Sequence, residues 1–251
     1  MDDNGRTDDA DAWLAGVDGC RAGWVAAFVR RSGDEARIRV TPHFAEILSA
    51  PETPAVIAVD MPVGLPERTG PGGRAAENAV RPLLGARQSA VFSVPSRAAL
   101  EQADYRAACD IALATSEPPR KISRQLFMIA PKIREVDACL RSDAAAAARV
   151  HEVHPELAFW RLNGARPLTE PKKVRGKLCE AGLALRRHLL LTSALPAALI
   201  NCAAPRGAAA DDLLDALACA AIARRIHAGV ATPFPDPPPV DRYGLRMAIW
   251  A

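Results

Sequence analysis

Two short apolar segments of this chain each end on an aspartate that stands beside a turn. The first segment, residues 13–18, ends at Asp18, and the second, residues 55–60, ends at Asp60. A carboxylate at the end of a buried strand loses its hydration, which is costly unless a cation or hydrogen-bond donors compensate it. A third acidic group, containing Asp212 and Asp215, opens a late apolar helix. Together the three groups predict a shared metal site.

The order of the predicted strands and helices favours an α/β fold. Apolar runs predict strands at 13–18, 24–29 and 37–41, which short turns join into an antiparallel meander. The run at 55–60 is almost continuously apolar, as in strands that a parallel sheet buries on both faces. The other predicted elements are helices at 44–50, 74–84, 97–115, 132–148, 156–162, 174–192 and 211–228, and strands at 149–154 and 245–250.

Charge separates the first eleven residues from the rest of the chain. They contain five Asp and one Arg without hydrophobic periodicity, which predicts a disordered acidic tail at 1–11. The net charge of the whole chain is +3, so the remainder is mildly basic. Residues 12–251 are long enough to bury a full core, and we expect a single domain with a helical insertion at about 64–148.

The chain lacks sequence signals for a membrane protein. No apolar run approaches the roughly 20 residues that cross a bilayer. The acidic N-terminus also differs from the basic and apolar pattern of a secretory signal. We therefore expect a cytoplasmic protein without a membrane partner. The sequence leaves open whether it forms a homodimer.

Each acidic group also has a structural interpretation. Asp18 has glycines at positions 16 and 19, so a bulky anionic ligand has room to approach it, although its side chain could instead close the turn to Gly23. Asp60 precedes a Met-Pro pair and could likewise end a strand. Asp212 and Asp215 stand three residues apart, on one helix face. Capping of the helix by Asp211 or Asp212 would leave Asp215 unexplained.

The segment 151–156 offers further candidates. In a strand, Glu152 and His154 face one side and His151 faces the other, which argues against a zinc site that uses both histidines. Glu152 could be a further carboxylate ligand of the metal, and His154 could carry a proton. A structural role for either remains an equal alternative.

Basic residues indicate where a phosphate could bind. Arginine dominates the 32 basic residues, and the five lysines all fall between positions 121 and 177. A compact ammonium suits point-charge contacts with phosphate, although solvated surface lysines would look the same in a sequence. The candidates are Lys132, Lys172, Lys173, Arg81, Arg87 and Ser89.

Several segments of the chain together carry a family resemblance. They include Gly16-Val-Asp18-Gly19, Val59-Asp60-Met61-Pro62, Leu84-Gly85-Ala-Arg87-Gln-Ser89, Pro131-Lys132-Ile133, Glu152-Val-His154-Pro155-Glu156, Lys172-Lys173 and Asp212-Leu-Leu-Asp215. In these motifs the chain resembles the domain-of-unknown-function 429 family, described as predicted nucleases of ribonuclease H-like fold. One position departs from the family pattern, because Glu77 stands where the family often has Asp between two arginines.

The resemblance implies a ribonuclease H-like mixed sheet flanked by helices, in which the first and fourth strands are central neighbours and a late helix crosses them. It implies a hydrolase that cleaves nucleic acid or another phosphodiester with two Mg²⁺ or Mn²⁺ ions. The implied metal ligands are Asp18, Asp60, Glu152, Asp212 and Asp215, with Asp18 bridging the ions. The implied catalytic residues are Asp18, Asp60, Asp212, Asp215 and Lys132. Arg81, Arg87, Ser89, Lys172 and Lys173 are the expected substrate contacts.

Two other functions remain compatible with the sequence. Actin-like ATPases and sugar kinases share this core fold and hold nucleotide phosphates with a glycine-rich hairpin such as Asp18–Gly23, although they normally contain two duplicated halves. A catalytically silent nucleic-acid-binding or scaffold protein is the other alternative.

Overall fold

A computed structural model describes residues 12–251, so the predicted acidic tail at 1–11 lies outside the described residues. The described chain is built on one large mixed sheet. Its strands are β1 (Trp13–Cys20), β2 (Gly23–Arg30), β3 (Ala36–Thr41), β4 (Val56–Val59), β5 (Val150–Glu152), β8 (Pro233–Phe234) and β9 (Ile249–Trp250). A separate hairpin consists of β6 (Lys173–Val174) and β7 (Lys177–Leu178).

Helices flank the sheet, which confirms the α/β class. They are α1 (Phe44–Leu48), α2 (Ala75–Val80), α3 (Arg97–Leu100), α4 (Tyr105–Ala114), α5 (Arg124–Ser142), α6 (Ala144–Arg149), α7 (Pro155–Leu162), α8 (Glu180–Leu191), α9 (Ala197–Ile200) and α10 (Ala210–His227). A 3₁₀ segment follows α2 at Arg81–Ala90. Helices α2 to α6 all lie between β4 and β5 in the chain. The division into an acidic tail and a single domain with an insertion stays a prediction.

The strand order of the large sheet is β3-β2-β1-β4-β5-β9-β8. Strands β1, β2 and β3 pair antiparallel, whereas β4 runs parallel to both β1 and β5. The predicted meander followed by parallel strands is therefore confirmed. The backbone N–H of Asp60 donates to the carbonyl of Val17 at 2.9 Å, which continues the β1–β4 pairing beyond the end of β4. This bond places Asp60 beside Asp18 at the carboxyl end of the sheet.

The two faces of the sheet bury different layers of the protein. Leu14 and Ala58 pack with α10 in one apolar cluster, whereas Val17 and Val59 pack in a second cluster with helices of the segment between β4 and β5. Because side chains alternate along a strand, Asp18 points to the same face as Leu14. The position of Asp18 in β1 therefore aims its carboxylate toward α10.

Helix α10 lies directly on the backbone of β1 at Gly16. A Cβ atom added there would stand 2.1 Å from the carbonyl oxygen of Ala216 and 2.1 Å from the nitrogen of Ala220. No side chain fits in that space, so glycine permits an approach that any other residue would prevent. This close packing brings the first turns of α10 to the strand that carries Asp18.

Several predicted boundaries were wrong. The predicted helix at 174–192 begins only at Glu180, because Arg175 and Gly176 take positive φ values of 49° and 77° and form the two-residue turn of a hairpin. The helix predicted at 97–115 is broken into α3 and α4, and α5 starts at Arg124, ahead of the predicted 132. The strand predicted at 245–250 is formed only at Ile249–Trp250.

Among the described residues, no helix has both the length and the apolar character that a bilayer crossing requires.

The contact at Gly16 predicts a large loss of stability on substitution. We expect Gly16→Ala to lower the free energy of unfolding by at least about 2 kcal/mol, because the added methyl group overlaps the backbone of α10 and forces the helix away from the sheet. Equilibrium urea denaturation followed by circular dichroism measures the loss.

Gly70→Ala is the matched control. A Cβ at Gly70 meets no heavy atom within 4 Å, and its φ lies outside the left-handed region. We expect it to change the free energy of unfolding by less than about 0.5 kcal/mol. Equal effects of the two substitutions would show that the packing at Gly16 is not special.

Candidate metal centre

Three carboxylates converge where β1 and β4 end. They belong to Asp18 in β1, to Asp60 directly after β4 and to Asp215 in α10, and one oxygen of each lies within 4.8 Å of the other two. The parallel pairing of the strands supplies the first two side chains, and the close packing of α10 supplies the third. Acids that are far apart in the sequence thus share one site.

Burial makes these three groups hard to ionise together. Desolvation, followed by the charges of Asp60 and Asp215, holds the pKa of Asp18 well above its usual range. Burial raises the pKa of Asp60 to about 7 and that of Asp215 to about 6, although the nearby Lys172 opposes both shifts. Ionisation of all three carboxylates is therefore unfavourable unless a cation is bound.

Two lysine side chains approach the cluster from the start of the β6–β7 hairpin, Lys172 just before β6 and Lys173 as its first residue. The Lys172 ammonium donates to Oδ2 of Asp215 and lies 3.6 Å from Oδ2 of Asp211. The neighbouring Lys173 ammonium lies 2.6 Å from the same Asp211 oxygen. Burial opposes the charge on Lys172, yet Asp215, Asp18 and Asp211 raise its pKa. One ammonium can balance only one of the three converging carboxylates when all three are ionised.

The oxygen atoms that remain free fit a hard divalent cation. Oδ1 of Asp215 is buried without a hydrogen-bond partner in the described part of the chain. The Asp18 carboxylate accepts only the N–H of Gly19, at 2.6 Å, and no hydrogen bond to the Asp60 carboxylate occurs among the described residues. Carboxylate oxygens are the ligands that Mg²⁺ and Mn²⁺ prefer. The donor set therefore fits either ion.

Glu156 is a fourth acid near the cluster, and its sequence pattern predicted no role for it. It stands in the first turn of α7, where its Oε1 accepts from the guanidinium of Arg186. Its Oε2 is buried without a partner in the described chain. Glu156 lines the same cleft as Asp60 and Asp215, and its charge raises the pKa of both. The sequence signal that could have identified Glu156 is its position directly after His-Pro, at the start of a helix.

Glu152, a predicted metal ligand, lies apart from the three converging acids. It is paired in register with Val59, so it shares the sheet face of Val59 and not that of Asp18. Its Oε1 accepts from Arg74 at 2.6 Å and its Oε2 accepts from the N–H of Val63 at 2.8 Å. Both oxygens are thus engaged by protein donors, so Glu152 is not one of the three converging carboxylates, although it lines the same cleft, and its ligand role stays a prediction.

Asp212, another predicted ligand, also lies outside the acidic trio, the name used here for Asp18, Asp60 and Asp215. Its Oδ2 accepts the N–H of Ala209 at 2.9 Å, next to the start of α10. A free N–H at a helix start attracts a carboxylate in this position, so the capping alternative applies to Asp212. Asp211, in turn, is held by Lys173. Of the acids that open the helix, Asp215 alone belongs to the converging trio.

His154 and Lys132 are also held by other groups. His154 Nδ1 accepts the N–H of Glu156 at 3.2 Å, so Nε2 carries the ring proton and faces the carbonyl of Ala90 at 3.3 Å. Burial lowers the pKa of His154, which keeps it neutral. The Lys132 ammonium donates to the carbonyl of Gly23, and its side chain passes beside Gly19, the neighbour of Asp18. Among the described residues it forms no ion pair with the three acids, and its catalytic role stays a prediction.

The predicted substrate contacts divide between two places. Lys172 and Lys173 line a cleft of about 430 Å³ around the acids, which we call the acidic cleft and define by Asp18, Asp60, Glu156, Lys172 and Asp215. Arg81 and Ser89 line a second cleft. Arg87 lines neither of these two clefts, and its Nε is buried without a partner among the described residues.

Comparison with known proteins identifies a family whose description names no activity. The profile of one family, described as a protein of unknown function (DUF429), matches residues 16–240. No curated protein and no solved structure matches the chain.

The acidic trio predicts that Asp18→Asn stabilises the metal-free protein. The folded-state pKa of Asp18 is raised, so the folded chain binds this proton more tightly than the unfolded chain and loses stability as the pH rises above about 4. A neutral amide at this position removes that loss. We expect a gain of at least about 1 kcal/mol at pH 8 in chelator, and a smaller gain at pH 5, by urea denaturation.

The exposed Asp110 provides the control for the loss of one carboxylate. We expect Asp110→Asn to leave the free energy of unfolding unchanged within about 0.5 kcal/mol at both pH values. Destabilisation by Asp18→Asn at pH 8 would show that other contacts compensate the Asp18 charge.

Proposed function

Since the chain belongs to the DUF429 family of proteins of unknown function, its chemistry must be argued from its own site, and we propose that it is a divalent-metal-dependent phosphodiester hydrolase, a nuclease of ribonuclease H-like type. The convergence of Asp18, Asp60 and Asp215 at the ends of two parallel strands and on a crossing helix carries this proposal. The strand order, with β1 and β4 at the centre, supports it.

The ion would be held by the three converging carboxylates. Glu156, with its buried and unpartnered Oε2, is the further acid available to a second ion. Bound Mg²⁺ or Mn²⁺ supplies Lewis-acid polarisation of a phosphoryl oxygen and lowers the pKa of a coordinated water. Three or four acids leave an ion of this kind under-coordinated, so that water and substrate oxygens complete its shell.

The two lysines of the acidic cleft give it a cationic side. Lys172 and Lys173 reach Asp215 and Asp211, respectively, and both remain partly accessible to the cleft. A phosphodiester that enters the cleft meets these ammonium groups, which offset its charge and the charge that develops during cleavage. We therefore retain both residues as substrate contacts.

Other groups hold the cleft in shape. Glu156 is fixed by the fully buried Arg186, and Glu152 is fixed by Arg74, which also bonds Glu77. His154 keeps its tautomer through bonds on both ring nitrogens, so we assign it a positioning role and no proton transfer. These contacts connect the cleft wall to α2, α7 and α8.

The proposal predicts that removal of any one of the three acids abolishes cleavage. We expect Asp18→Asn, Asp60→Asn and Asp215→Asn each to lower Mn²⁺-dependent cleavage of fluorescently labelled DNA and RNA oligonucleotides by at least about 10³-fold. Chelator should abolish wild-type cleavage. Mn²⁺ binding, read from the electron paramagnetic resonance signal of the free ion, should weaken in parallel.

Asp212→Asn is the matched control, because Asp212 neighbours the trio in the same helix but bonds the backbone of Ala209. We expect it to keep cleavage within about ten-fold of the wild type, since a helix cap contributes about 1 kcal/mol to stability. If Mn²⁺ binds without cleavage of any oligonucleotide, the metal site stands and the nuclease does not. Binding of ATP to the same site would instead favour the actin-like alternative, and oligonucleotide affinity without turnover would favour the silent binding protein.

Substitution of Lys172 is expected to change metal affinity and cleavage in opposite directions. Its ammonium competes with a divalent ion for Oδ2 of Asp215. We therefore expect Lys172→Met to tighten Mn²⁺ binding by about ten-fold while it slows cleavage, because the substrate loses a cation in the cleft. Titration of Mn²⁺ and the cleavage rate at saturating Mn²⁺ measure the two effects separately.

Lys177→Met is the control, because Lys177 is an exposed lysine of the same hairpin. It should leave Mn²⁺ affinity unchanged. Weaker Mn²⁺ binding by Lys172→Met would mean that Lys172 positions Asp215 for the ion and does not compete with it.

A further inference from the structure

A second cleft of about 430 Å³ lies next to the acidic cleft and has the opposite charge. We call it the basic cleft. Its polar lining includes Thr69, Arg81, Ser89, Ser93, Arg120 and Lys121. Among the described residues that line it there is no carboxylate, whereas the acidic cleft is lined by eight.

The two clefts have a wall in common. Val91, Phe92 and Val94 line both of them, in the segment that follows the 3₁₀ helix. A ligand with two linked groups can therefore lie across this wall, with one group in each cleft. Phe92 is partly accessible, so it adds an aromatic surface between the two charged regions.

Arg81 gives the basic cleft a fixed positive charge. Its guanidinium donates to the carbonyls of Gly72 at 2.6 Å and Val91 at 3.1 Å, and to Oγ of Ser93 at 2.9 Å. These acceptors orient the guanidinium but are uncharged, so none of them neutralises it. Burial lowers the pKa of Arg81 and the charge of Arg120 adds to that shift, while the charge of Glu77, which Arg74 holds, opposes it.

Two further cations of the basic cleft are available to a ligand. The side chains of Arg120 and Lys121 are exposed, and neither forms an ion pair or side-chain hydrogen bond with the described residues. Ser89 adds an exposed hydroxyl. Three cations and neighbouring hydroxyls around one cavity are the donor set that an anionic oxygen group, above all phosphate, requires.

We infer that the basic cleft binds a phosphate group of the same substrate whose scissile phosphodiester enters the acidic cleft. The inference rests on the proposed function and narrows its substrate class to molecules with at least two linked phosphates. Such phosphates come from neighbouring nucleotides of a single strand or from a small molecule that carries a second phosphate. In a strand, a base can stack on Phe92 between the two clefts.

The test measures binding without catalysis. Fluorescence anisotropy with a labelled 12-nucleotide single strand of DNA or RNA, in chelator and at several salt concentrations, compares the wild type with Arg120→Ala/Lys121→Ala. The control is Arg106→Ala/Arg166→Ala, which removes the same charge from two exposed arginines that line neither cleft. Thermal shift with inorganic phosphate tests the small-molecule source.

We expect the cleft variant to weaken strand binding at least ten-fold and to reduce the slope of log affinity against log salt concentration by about 1–2, while the control stays within two-fold. The small-molecule source is supported if the wild type binds no strand but is stabilised by inorganic phosphate, and if Arg120→Ala/Lys121→Ala removes that stabilisation. Equal weakening by both variants, or binding of neither probe by the wild type, overturns the inference. Chelator is present throughout, so these binding measurements do not depend on metal-dependent cleavage. They can therefore support the basic cleft even if the protein cleaves no oligonucleotide.

Discussion

Parallel pairing of β1 with β4 brings together two side chains that the interior of a protein would otherwise keep apart. The hydrogen bond from Asp60 N–H to the Val17 carbonyl continues this pairing to the ends of the strands, so that Asp18 and Asp60 stand side by side. Helix α10 then adds Asp215, and it does so only because Gly16 lets the helix lie on the strand backbone. The fold therefore holds together three carboxylates that repel one another.

The charge balance of the cluster links this constraint to chemistry. Burial and the charges of neighbouring acids, Glu156 among them, raise the pKa values of the three aspartates, and Lys172 offsets only part of that effect. An arrangement that destabilises the metal-free fold and leaves a buried carboxylate oxygen unpartnered is typical of a functional site, where stability is lost in exchange for a binding capacity. Burial raises the pKa of Glu152 to about 7 as well, but Glu152 differs from the three aspartates because Arg74 and the N–H of Val63 engage both of its oxygens.

The helical segment between β4 and β5 gives the site its surroundings. Its residues 91–94 separate the acidic cleft from the basic cleft, so that regions of opposite charge lie on two sides of one short wall. This arrangement is the basis for the proposal of a substrate with at least two linked phosphates, one in each cleft.

Much of the architecture follows from local patterns in the sequence. The apolar runs that end at Asp18 and Asp60 predicted two central strands, and the alternation before residue 41 predicted the antiparallel meander. The hairpin at 173–178 was missed because a two-residue turn interrupts a segment of helical composition. Among the opening acids of α10, spacing alone placed Asp212 and Asp215 together and could not show that a free backbone N–H holds Asp212.

The sequence by itself determined which acids end the buried strands and which acid lies inside the apolar helix, because hydrophobic periodicity is a local property of the chain. Only the tertiary structure decided which of the acids meet. The sheet register places Glu152 on the opposite face from Asp18, and close packing at Gly16 brings Asp215 to the strand ends. A contact between residues more than a hundred positions apart joins Lys132 to the carbonyl of Gly23. Register and packing depend on residues distant in the chain, which no local pattern specifies.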